Sequence, residues 1–66
     1  MKVKFYTYNG LAGDPHELLV GTDEDGYKIS RLFNRSFFPL WNMRRAKRKI
    51  LKEFEILTGE KHVEHV

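Results

Sequence analysis

An α+β fold, a small three-stranded antiparallel sheet with one C-terminal amphipathic helix packed on it, is what this sequence predicts. Three observations lead there. Residues 2–8 alternate with a period of two, residues 23–26 spell a hairpin turn, and from Ser36 onward the apolar residues recur at helical spacing.

In the first segment Val3, Phe5 and Thr7 fall on one side and Lys2, Lys4, Tyr6 and Tyr8 on the other, a strand pattern that Asn9-Gly10 ends. Gly10 to Pro15 reads as loop, because Gly10, Gly13 and the Asp14-Pro15 step all break regular structure. Asp14-Pro15-His16-Glu17 would suit the start of a helix, with a capping aspartate, a proline and a glutamate in order. Leu18-Leu19-Val20 reaches Gly21 too soon for one, so a strand over 17–22 is the better reading. Asp23-Glu24-Asp25-Gly26 then turns the chain into a strand over 27–33, with Gly26 able to take positive φ. With this pairing the helix is expected to cover Val3, Phe5, Leu18, Val20 and Ile29.

The helix is read from Ser36, a workable N-cap, to Thr58, with Gly59 as the C′ residue and Pro39 tolerated in the first turn. Leu40, Met43, Ala46, Ile50, Leu51, Phe54 and Leu57 span an arc of about 140° at roughly 100° per residue, wide enough to face a sheet. Lys47 falls inside that arc and is expected to snorkel along its edge. Residues 1–59 form one domain, and 60–66 are expected to fray.

Charge is the most informative feature. Between Lys28 and Lys52 stand nine basic side chains and no acid, while residues 1–27 and 53–66 each carry a net −3. The total of +3 is therefore a dipolar arrangement. Arg44, Arg45, Arg48, Lys49 and Lys52 occupy an arc of the helix away from the apolar one. Arg44/Arg48, Arg45/Lys49 and Arg48/Lys52 are like-charge i,i+4 pairs, each unfavourable by about 0.2–0.5 kcal/mol, offset only by Lys49/Glu53 and Lys52/Glu55. The glutamates also come late, against the helix dipole. Helix stability alone would not choose this pattern; binding to something anionic would. The bland alternative is a solvated face partly neutralised by Asp23-Glu24-Asp25.

Trp41 lies near the centre of the cationic arc. Two roles are open to it: folding back on Phe37 or Phe38 to cap the core, or standing exposed to stack on a base or wedge against a partner. Lys2, Lys4, Tyr6 and Tyr8, joined by Lys28 and Ser30, make a second cationic-aromatic face on the sheet, which is otherwise an ordinary solvent face.

The function these features favour is nucleic-acid binding, DNA first, through phosphate contacts from Arg44, Arg45, Arg48, Lys49 and Lys52, extended by Arg31 and Arg35 and flanked by Trp41. At fold level alone the architecture resembles three-stranded sheet-plus-helix DNA readers; no family motif accompanies it. The rival is a protein-binding adaptor or inhibitor that docks the basic helix on an acidic partner.

Other classes have little support. No nucleophile stands beside a base, and 66 residues leave little room for a closed pocket, so neither catalysis nor a cofactor is expected. Gly10-Leu11-Ala12-Gly13 has no flanking lysine or arginine and reads as a turn rather than a phosphate loop. His62 and His65 lack a third histidine nearby, so no metal site is expected, and His16 reads as a turn residue beside Asp14. No stretch approaches the roughly 18 apolar residues of a membrane span, and the N-terminus lacks a signal-peptide h-region. A basic amphipathic helix could lie on a membrane surface, but its apolar arc is needed for the core. A reducing cytoplasm is the expected setting for a chain without cysteine. A chain this short buries only about 60% of its unfolded surface. Without disulfides, oligomerisation is the staple that remains, which leaves a homodimer open.

Overall fold

The computed structural model describes residues 1–9 and 13–65. Its elements are β1 (Lys2–Asn9), β2 (His16–Thr22), β3 (Lys28–Asn34), α1 (Pro39–Thr58) and β4 (Val63–Glu64). The β-β-β-α layout is the expected α+β fold, with a short fourth strand added. Strand order is β3-β2-β1-β4, antiparallel except for the parallel β1–β4 pair. The reading of Gly10–Gly13 as a plain turn falls mainly on residues 10–12, outside those described.

Alternation in β1 places Val3 and Phe5 toward the helix and Lys2, Lys4, Tyr6 and Tyr8 on the open side, as expected. β2 has the opposite phase. Gly21 pairs with Phe5 and Ile29, so Leu19 and Gly21 face the helix, while Leu18 and Val20 share the open face with Tyr8 and Tyr6. Three consecutive apolar residues carry no alternation from which to choose. Space decides: a Cβ on Gly21 would come within 2.9–3.0 Å of Phe5, Ile50 and Val3 side chains. Glycine at this point lets the helix approach the sheet.

The turn 23–26 forms as read. Gly26 takes φ 87°, and its N–H donates to the Asp23 carbonyl. His16, at the head of β2, donates its backbone N–H to Asp14 Oδ1 and has its ring Nδ1 3.2 Å from the same oxygen.

Helix α1 starts two residues later than Ser36 would allow as a cap. The cap position is Phe38, with φ 50° and ψ 55° and no side-chain cap bond. Pro39 disfavours a right-handed helical conformation in the residue before it, so helical geometry can begin only at the proline. The Ser36 N–H donates instead to Asn34 Oδ1. A bulky residue in the left-handed region costs on the order of 1–3 kcal/mol. At the other end Gly59 is the expected C′ residue, with φ 74° and its N–H donating to the Glu55 carbonyl.

The core is Val3, Leu19, Phe33, Ala46, Ile50 and Phe54, with Phe5, Ile29, Met43 and Leu51 packed against it. Leu40 and Leu57, expected to face the sheet, are 70% and 74% exposed. A 20-residue helix is about 30 Å long, whereas the seven-residue strands beneath it span about 23 Å, so its ends overhang. Lys47 snorkels as anticipated: its Nζ sits 5.4 Å above the Phe5 ring and 2.6 Å from Glu64.

Within the segment expected to fray, residues 60–65 are described. Val63 and His65 donate backbone N–H groups to the Met1 and Val3 carbonyls, adding β4 to the β1 edge. His62 is buried, stacked on Phe54 at 4.9 Å with its Nε2 3.4 Å from the buried Asp23 carboxylate. Asp23 Oδ1 also accepts N–H bonds from Asp25 and Tyr27, so one carboxylate joins the hairpin turn to the tail.

Candidate nucleic-acid interface

Ala46, Ile50 and Phe54 point into the core, which turns the opposite arc of α1 to solvent. At roughly 100° per residue that outer arc carries Trp41, Arg44, Arg45, Arg48, Lys49 and Lys52. All six are exposed.

Arg31 reaches this surface from the sheet. Its register opposite Leu19 directs it to the helix side of β3, the edge strand beneath α1. There Arg31, Arg45 and Lys49 line one cleft together with Asn34 and Asn42. Among the described residues none of Arg31, Arg44, Arg45, Arg48, Lys49 and Lys52 forms an ion pair with a carboxylate.

The Asp23-Glu24-Asp25 turn does not fold over the cationic arc. Asp23 is buried with His62, and Glu24 accepts the backbone N–H of Lys2 on the far side of the sheet. Arg35 stands apart from the other predicted contacts. Its Nη1 lies 3.0 Å from Glu17 Oε1 and its backbone N–H donates to the Pro15 carbonyl, so it anchors the start of β2.

Trp41 does not cap the core. It is 63% exposed, and Phe37 and Phe38 are 71% and 78% exposed. Phe38, Pro39, Leu40, Trp41 and Arg44 line a common surface depression. Sequence reasoning passed over Asn42, which holds this segment in place. Its Nδ2 donates to the Asn34 and Phe37 carbonyls at 2.9 and 2.7 Å, and its backbone N–H donates to the Phe38 carbonyl. An asparagine one turn into a helix carries no pattern that would announce such a clamp.

The open sheet face is a second, separate surface. Tyr6 and Tyr8 meet edge to face at 5.6 Å, Tyr6 Oη lies 3.0 Å from Thr22 Oγ1, and Lys2, Lys4 and Lys28 stand nearby. It lies on the side of the sheet opposite α1, so a single flat ligand cannot cover both. His62 is committed to its bonds with Asp23 and the Glu60 carbonyl. No cluster of three His, Cys, Asp or Glu among the described residues could hold a metal.

No family model matches this chain, and no curated protein or solved structure is similar to it. No helix among the described residues is long and apolar enough to cross a membrane.

Proposed function

We propose that the protein binds nucleic acid, DNA first, through the outward arc of α1 and the adjoining Arg31, with the phosphate backbone as the main point of contact. One observation carries this reading: among the described residues, six cations stand on one solvent-facing surface without an ion-paired carboxylate, although the chain holds nine acidic residues. Arg44, Arg48 and Lys52 follow one another along α1 at about 6 Å per step. Phosphates that replace the missing partners would release their counterions, which supplies the driving force.

Six phosphate contacts imply a slope of about −5 for log K against log salt concentration. Fluorescence anisotropy with a labelled 20-base-pair duplex at 100 mM salt measures it. Arg45→Glu with Arg48→Glu is expected to abolish the signal, while Arg35→Ala leaves it nearly unchanged. If neither the duplex nor its separated single strand changes the anisotropy with the native chain, the reading is defeated. The rival, an acidic protein surface, would satisfy the same cations. It takes over if both oligonucleotides fail and one stoichiometric protein is retrieved from nuclease-treated lysate.

A further inference from the structure

Phe37, Phe38, Leu40 and Trp41 form an exposed apolar knuckle at the head of the cationic arc, and phosphate contacts make no use of it. Four large apolar side chains within five residues are each 63–78% exposed, and the charged residues nearest them in sequence, Arg35 and Arg44, are cationic. Trp41 shares its helix face with Arg44, Arg45 and Arg48, three, four and seven residues on. The rings are held outward rather than left to collapse, because Asn42 clamps the Phe37 and Asn34 carbonyls and Pro39 sets the entry angle.

A second copy of the chain is a poor occupant, since apposing two knuckles would bring the two arginine clusters together. The occupant must place flat apolar groups over the aromatic rings within a few ångströms of anions along the arc. Nucleobases attached to their own phosphates have that pattern, but only where they are not already stacked and paired.

Resting on the nucleic-acid reading above, we infer that the preferred ligand is single-stranded: Phe38 and Trp41 stack on unpaired bases while Arg44, Arg45 and Arg48 hold the backbone. Base–aromatic stacking tolerates any sequence, so the selectivity is for strandedness.

The test compares a 20-nucleotide strand free of self-complementarity with its duplex, using the full chain at 100 mM salt. The strand is expected to bind about a hundredfold more tightly, from two stacked bases at about tenfold each. Trp41, the only tryptophan, should be quenched by the strand and not by the duplex. Trp41→Ala and Phe38→Gly should each remove about tenfold from strand binding and leave duplex binding unaltered. Glycine suits the left-handed conformation at position 38, so that variant keeps the fold, which a thermal melt verifies.

Equal affinity for strand and duplex, or equal losses for both in the variants, would overturn the inference and leave the phosphate reading standing. If neither oligonucleotide binds, both fall. A blue shift of Trp41 emission with anionic phosphatidylserine vesicles would then reassign the knuckle to a membrane surface.

Discussion

The two sides of this molecule treat charge in opposite ways. Around the tail and the strand ends, charged groups find partners: Asp23 with His62, Lys47 with Glu64, Arg35 with Glu17 and Asp14 with His16. Along the outer face of α1 and at the adjoining Arg31, six cations stand side by side without a carboxylate partner among the described residues. Both sides belong to one chain with acids to spare, so the difference lies in placement rather than composition. The paired side holds the fold together. The unpaired side bears like-charge repulsion that contributes nothing to folding, and the proposed ligand is what would offset it.

Substitutions on each side test that division. The largest effect belongs to the packed side. Phe54→Ala removes a ring buried between the sheet and His62, and should cost about 3–5 kcal/mol in chemical denaturation. Near-native stability would mean that the tail does not depend on the helix. His62→Ala should cost about 1–3 kcal/mol, because it leaves the buried Asp23 Oδ2 without its donor. A loss no larger than that of an exposed residue would show that the His62–Asp23 contact adds no stability.

On the unpaired side the sign reverses. Arg45→Glu with Arg48→Glu should leave the thermal midpoint unchanged or slightly raised, since three like-charge pairs become favourable at about 0.2–0.5 kcal/mol each. A clear drop in Tm would reveal a structural role for those arginines and weaken the contrast.

The smallest effect is at Asp14. Its carboxyl is held below the usual carboxylate range, first by the His16 backbone N–H and then by the His16 side chain. With the folded pKa depressed, any stability it lends is fully present at neutral pH and is lost as pH falls through the carboxylate range. Asp14→Asn should therefore flatten the acid limb of a pH–stability curve only slightly. A large change would move Asp14 into the class of buried partners such as Asp23.

Much of this could be read from the residues because local patterns were unambiguous. The alternation of Lys2 to Tyr8, the Asp23–Gly26 turn, the helical recurrence of Ala46, Ile50 and Phe54, and the terminal Gly59 each have one reading. The cationic arc followed from helical spacing alone. Two errors came from places where local signals tie or fall silent. Leu18-Leu19-Val20 suits either strand phase, and Ser36 is a sound cap overridden two residues later by the Phe38-Pro39 step.

What the chain determined by itself is the order of its elements and the separation of its charges, since both depend on residues close together in sequence. The tertiary structure decided the rest: Leu19 rather than Leu18 in the core, His62 buried against Asp23, Arg31 beside Arg45, and Trp41 left outside. Each of those depends on residues far apart in the chain meeting in space. Closest packing around Gly21 and the finite length of the sheet choose among them, and neither is visible in periodicity.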